Sequence, residues 1–274
     1  MTGFTPETKE FYDEIGWRIR EGRTVDAILF GDRETGPLRA ALRRQRLDRV
    51  RAALQRAGEG LNLIEAGCGG NPSMNLLDLC SHYTGVDIST TGLDLAEERL
   101  REAGIPFVLR EADVCDLPFE DESFDAAYSA HVIYHILDPE AQRAAFCEIA
   151  RVVRPSGVAV LILANPLPLL FPIRLARRLA ATSSRVSGLL DRIRRKPPLP
   201  FRPMPLGWMR EQLAPFGEVT LACHALESVW FNQHVSERRR VGRLLWRAAE
   251  IAERRHPGRL TRLGSFVQIV LRKA

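Results

Sequence analysis

Acidic residues at the ends of successive β-rich runs carry the first chemical signal in the sequence. Glu65 stands near the end of LNLIEA (61–66), Asp87 closes HYTGVD (82–87), and Asp113 closes PFVLREAD (106–113). The first run leads into Gly67-Cys68-Gly69-Gly70. Glycines in such a turn permit positive φ and let the backbone approach a ligand beside the following helix. An acid about 20 residues further on can accept both hydroxyls of a ribose. Asp87 has that position, and Asp113 is placed to reach an adenine amino group. The dinucleotide pattern GxGxxG fails, because its third glycine falls on Pro72. His131 and His135 follow the run FDAAYSA (124–130). An imidazole titrates near neutral pH and suits proton removal from an acceptor. At spacing i, i+4 the pair shares one helical face if a helix has begun by then. His224 and His234 flank a later run and read as surface or core residues. Cys68 reads as a small packing residue, since a nucleophilic thiol needs activating partners.

The elements that must position these residues alternate. Five β-rich runs, the last being GVAVLILA (157–164), are separated by NLLDLC, TGLDLAEERLREAG and PEAQRAAFCEIARVVR, each apolar at helical spacing. Such alternation predicts a parallel sheet covered by helices on both faces. Two more strands are expected near 219–231 and 265–272. Upstream, 37–58 reads as a helix opened by Gly36-Pro37 and closed by Gly58. Before it, PETKEFYDEIGWRIREG forms a short amphipathic helix with Phe11, Tyr12, Ile15 and Trp17.

The segments EAGCGG (65–70), GVDIS (85–89), EADVCDLPFEDESFD (111–125), YSAHVIYHI (128–136) and RVVRPSGVAVLI (151–162) stand in order at consistent spacing. Together they resemble the class I S-adenosylmethionine-dependent methyltransferases, in particular the quinone and small-molecule methylases. The resemblance implies an α/β, Rossmann-like seven-stranded sheet. It also implies S-adenosyl-L-methionine as cofactor and S-adenosyl-L-homocysteine as product. Gly67, Cys68 and Gly69 would line the methionine part, and Glu65 would hold its amino group. Asp87 would bind the ribose, Ile88 would pack on the adenine, and Asp113 with the Val114 backbone would read its edge. Ser129 would approach the methionine end, and an N-terminal helix bearing Tyr12 would fold over cofactor and substrate. His131 and His135 are the candidate bases. The family's third glycine is Asn71 here, so the turn is expected to be shaped differently.

Charge is placed unevenly. Residues 1–164 hold 18 basic and 27 acidic side chains, and residues 165–274 hold 21 and 7. Such asymmetry points to an anionic partner. Residues 165–205 contain eight of the 17 prolines and nine basic residues against one acid. Apolar and cationic residues alternate there at helical period, which describes a lid over an apolar acceptor or a membrane-surface contact through 168–200. The expected organisation is N-terminal helices or lid (1–58), cofactor-binding core (59–164), basic cap insertion (165–205), and C-terminal strands and helix (206–274). The cap is expected over the carboxyl ends of the strands, helped by the arginine-rich segment 237–262.

Five scattered cysteines form neither a disulfide framework nor a zinc site. No apolar run approaches membrane-spanning length, and the N-terminus has no secretory pattern. The expectation is a cytoplasmic S-adenosylmethionine-dependent methyltransferase, with peripheral membrane contact open and the methylated atom (O, C or N) open, acting on a small hydrophobic or lipid-like acceptor of secondary-metabolite or quinone type, apolar or anionic. No nucleic-acid-binding module is recognisable. The alternative is a cofactor-binding regulatory or assembly subunit, or another reaction on the same scaffold.

Overall fold

The computed structural model describes residues 4, 6–20, 23–26, 36–166, 199–227, 231–232 and 235–274. Seven strands form one sheet: β1 Leu61–Ala66, β2 Cys80–Asp87, β3 Phe107–Glu111, β4 Phe124–Ala130, β5 Val153–Ala164, β6 Gly217–Ala225 and β7 Phe266–Lys273. Their order is β3-β2-β1-β4-β5-β7-β6, with β1–β5 parallel and β7 antiparallel to both neighbours. The seven-stranded α/β expectation is met.

Burial follows the two-residue period of β5. Ala159, Leu161 and Leu163 join the core layer on one face, while Val158, Val160 and Ile162 join the layer on the other. Because both faces are covered, the strand reads as a continuous apolar run and not as an alternating one. Among the described residues, six α-helices accompany the sheet: α1 Pro6–Phe11, α2 Pro37–Leu54, α3 Thr90–Ala103, α4 Pro139–Val152, α5 Leu206–Leu213 and α6 Arg240–Arg255. Several start where local chemistry satisfies free N–H groups. Ser89 accepts from Gly92 N ahead of α3, and Asp138 accepts from Glu140 N ahead of Pro139. Gly104, in the left-handed region, ends α3.

Four expectations shift. NLLDLC is a 3₁₀ segment, Met74–Leu79, too short for the α-helical turns its spacing suggested. The strand expected over 219–231 ends at Ala225. The N-terminal helix is α1 followed by a π turn (Tyr12–Gly16) and a two-stranded ribbon, Ile19–Arg20 with Arg23–Thr24. The 168–200 surface helix falls almost wholly outside the described residues, as does His234.

The second half of the cap reading can be examined directly. The excursion from Leu226 to Ser265 leaves and re-enters at the carboxyl edge of the sheet, between β6 and β7. Its helix α6 docks beside α2. Arg46 of α2 is clamped by Glu227 (2.5 and 2.7 Å) and by Glu253 (2.7 and 3.0 Å), all three nearly buried. Trp246 donates its indole N–H to Val235 O at 2.8 Å, and the Arg39 guanidinium sits 4.5 Å above its ring. No described helix is long and apolar enough to cross a membrane.

Removing one member of a buried ion cluster leaves a charge without compensation, at a cost of about 3–5 kcal/mol. Glu253→Ala is therefore expected to destabilise the fold by about that amount in urea unfolding. Arg51→Ala, which breaks a pair with the largely exposed Asp78, is expected to cost under about 1 kcal/mol.

Candidate active site

The strand order reverses between β1 and β4, which opens a crevice at the carboxyl edge. A cavity of about 260 Å³ lies there. Nine of the residues expected at the site line it: Tyr12, Glu65, Gly67, Cys68, Gly69, Asp87, Ile88, His131 and His135. Phe4, Thr8, Trp17, Asp26, Asn71, Ser73, Ala130 and Val132 complete the wall.

The turn after β1 needs its glycines. Gly67 (φ 86) and Gly69 (φ 52) lie in the left-handed region. A Cβ on Gly67 would overlap Val132 of the β4 exit, and one on Gly69 would meet Trp17 at 2.5 Å. The close approach of neighbouring side chains, and not only the turn, thus excludes other residues.

Asp87 turns one oxygen to Gly69 N (2.8 Å) and the other to Ser89 N (2.9 Å). These bonds fix the carboxylate between the glycine turn and the start of α3, with lone pairs left for ligand hydroxyls. Burial raises it to about 6. Glu65 accepts from Ser73 N (3.0 Å), Ser73 Oγ (2.8 Å) and Tyr83 OH (2.7 Å), and burial raises it to about 7 despite these donors. Ser73 immediately follows the GGNP loop, yet its role as a partner of Glu65 is not encoded in any local spacing. Burial pushes the Cys68 thiol well above its ordinary range, which fits packing and not reactivity.

The N-terminal segment roofs this end. Lys9 donates to Ile88 O and to Glu111 (2.8 Å), while Asp13 accepts from Ser89 Oγ (2.7 Å). Tyr12 stacks on Trp17, ring centroids 5.4 Å apart. The buried Trp17 Nε1 has no hydrogen-bond partner. Tyr12 also hydrogen-bonds Asp26, a carboxyl that burial raises to about 6. Asp26 lies in RTVDAILF, a stretch with no motif, so nothing in the sequence marked it.

At the opposite wall, His131 departs from the helical expectation. It leaves β4 with φ 65, unusual for a residue with a side chain, and only a 3₁₀ turn (Ile133–His135) follows. Backbone strain of this kind concentrates at functional sites. The two histidines still face one cavity, each oriented through Nδ1: His131 by Tyr134 OH (3.0 Å) and His135 by Pro200 O (2.7 Å). Burial lowers both, His131 to about 4, so both are neutral at neutral pH. Pro200 belongs to residues 199–205, which therefore pack against the histidine loop.

Three expected residues are not among those lining the cavity. Ser129 spends its hydroxyl on Ala66 O (2.7 Å), tying β4 to β1, and Ala130 and His131 take its place at the wall. Asp113 accepts from Cys115 N (2.9 Å) beyond the end of β3. The Val114 side chain is buried in the core. His224 is buried in β6, with its Nδ1 unpartnered in hydrogen bonding.

Among the described residues, the cavity is lined by three carboxylates (Asp26, Glu65 and Asp87) and by no lysine or arginine. Carboxyl groups held out of water without a cation are poised for a ligand that brings positive charge and hydroxyl donors. S-adenosylmethionine carries both.

Known proteins similar to this chain include methyltransferases. Residues 64–161 match the family model described as a methyltransferase domain. A phthiotriol/phenolphthiotriol dimycocerosates methyltransferase of Mycobacterium tuberculosis is 32% identical over 149 residues, covering 52% of this chain and 50% of that protein. A fatty-acid O-methyltransferase of Mycolicibacterium smegmatis is 34% identical over 120 residues, covering 42% and 41%. The chain thus spans half or less of the length of these curated relatives. Among solved structures, the geranyl diphosphate C-methyltransferase of Streptomyces coelicolor A3(2) superposes with a TM-score of 0.57 at 19% identity, covering 99% of both chains. That likeness is one of fold.

Asp87→Ala is expected to weaken S-adenosylhomocysteine binding by about 1–3 kcal/mol, measured by calorimetry. The pH dependence has a fixed sign. Below about 6 the Asp87 carboxyl is protonated and no longer offers a charged acceptor, so affinity falls as pH drops through that value. Above it, affinity levels off.

Proposed function

We propose, for a chain whose residues 64–161 belong to the methyltransferase-domain family, that the whole protein transfers a methyl group from S-adenosyl-L-methionine to a small, apolar, lipid-like acceptor. The observation that carries the reading is the cavity at the carboxyl edge of a Rossmann-like sheet, lined among the described residues by three carboxylates and no cation. The relatives named above act on a fatty acid and on phthiotriol-type dimycocerosates, which supports an apolar acceptor.

When bound, the cofactor supplies a methyl group already activated on a sulfonium. The chain's own residues then have three tasks. Asp87 holds ribose hydroxyls, and Ile88 packs beside the adenine. Glu65, fixed by Ser73 and Tyr83, faces the methionine amino group directly or through water. Tyr12 and Trp17 cover the pocket and exclude water, and His131 and His135 face the acceptor side. Being neutral, these histidines accept a hydrogen bond from an acceptor hydroxyl and align it for in-line attack. Residues 199–205, held through Pro200 O beside His135, border the acceptor side. The protein works in the cytoplasm, with its basic C-terminal half turned to anionic surroundings.

The test is incubation with methyl-labelled cofactor and a host lipid extract, followed by mass spectrometry. A labelled lipid-like product supports the reading. Cofactor binding with no labelled product would return the alternative of a non-methylating binding protein.

With the acceptor in hand, His131→Ala is expected to lower turnover by roughly 10²–10⁴ if the imidazole takes a hydroxyl proton. A loss below about threefold, with cofactor affinity unchanged, would leave catalysis to alignment alone. Because His131 titrates at about 4, it gives kcat/KM no acid limb near neutrality. A limb near 6 to 7 would belong to Asp26, Glu65 or Asp87.

A further inference from the structure

Helix α6 is amphipathic in two directions. Its inner face is anchored by Trp246, held by Val235 and Arg39, and by Glu253, held by Arg46. Among the described residues, none covers its outer face. Val241 and Leu244 are each 69% exposed and Leu245 is 45% exposed, with Ala248 exposed one turn on. These positions fall on one side of an α-helix, so the apolar residues form a stripe about 10–15 Å long at 1.5 Å per residue.

Every exposed position of α6 is either apolar or arginine. Arg240, Arg243 and Arg247 run along one flank of the stripe at three- and four-residue spacing. Of the helix's two acids, Glu253 is buried against Arg46 and Glu250 pairs with Arg254 (3.2 Å). The exposed face therefore offers apolar side chains and cations, with no carboxylate to receive the arginines of a second copy. A second copy would also bring like charges together. The surface complementary to this pattern is apolar beneath and anionic above, which describes the headgroup–acyl boundary of a bilayer.

We propose that α6 docks on an anionic lipid bilayer. Val241, Leu244 and Leu245 enter the acyl boundary, and Arg240, Arg243 and Arg247 meet headgroup phosphates. Two anchors fix the helix to α2, and its excursion begins and ends at the carboxyl edge, so docking sets that edge close to the membrane plane. The contact stands apart from methyl transfer and holds whatever atom is methylated.

The test is co-sedimentation of the full chain with phosphatidylcholine vesicles, with and without phosphatidylglycerol, at low and high salt. Cofactor affinity is measured on the same samples. Binding that requires phosphatidylglycerol and weakens with salt is expected. Arg240→Gln/Arg243→Gln/Arg247→Gln together should lower the bound fraction more than tenfold, at about fivefold per arginine. Leu244→Glu, at an exposed site, should lower it about tenfold. Cofactor affinity should stay at the wild-type value in both variants, showing that the fold is kept. A wild-type protein that stays in the supernatant at low salt overturns the proposal. So does binding that both variants retain, and so does a dimer that Leu244→Glu dissociates without any vesicle binding.

Discussion

The architecture of the site depends on one topological event, the reversal of strand order between β1 and β4. The connections on either side of that point run to opposite faces, so neither crossover covers the ends of these two strands. The two exits then face each other at very short range. Gly67 leaves β1 with positive φ, and the space a side chain would occupy there is filled by Val132 from the β4 exit. Asp87 at the end of β2 holds the same turn through Gly69 N. The glycine loop, the acid and the strained His131 are three responses to one crowded junction.

Electrostatics at this junction follow from who is absent. Each carboxylate on the cavity is bound by neutral donors: backbone N–H groups, a serine and two tyrosines. Neutral donors fix orientation but do not offset the cost of burying charge, so Asp26, Glu65 and Asp87 are all raised. Arginines are abundant in this chain, yet those near the sheet serve other ends. Arg46 joins two helices, and Arg151 and Arg154 tie loops at the amino-terminal edge of the parallel strands. Among the described residues lining the cavity, a cationic ligand therefore meets no competing side chain.

Much of this was legible from residues whose constraints are local. Strand runs, N-caps and the glycine turn are short-range patterns, and they placed the sheet and nine lining residues. What was not legible depends on contacts between distant segments. Ser129 reads as a polar residue at a strand exit, but its orientation is decided by the Ala66 carbonyl across the sheet. Asp26 has no motif and gains its place only because Tyr12 folds over the pocket. The histidine pair fits a helical spacing, yet the chain must turn sharply after Ala130 to clear β1, and a 3₁₀ turn with positive φ replaces the helix. Helix α6 shows the same limit: the arginine-rich segment was readable, but its docking on α2 follows from the distant Arg46.

The position of β7 has a consequence for how the chain matures. Strand β5 is the most apolar element of the sheet, and its free edge is paired by β7, not by the β6 that precedes β7 in the chain. During synthesis, β1 to β5 can assemble as soon as Ala164 has emerged. The edge of β5 then waits, unpaired, until Phe266–Lys273 arrives and slides in between β5 and β6. Over that interval an extended row of valine, leucine and isoleucine backbone is open to pairing with any other nascent chain. The delay before that penultimate slot is filled is thus a window for misassembly that the stability of the finished sheet does not shorten.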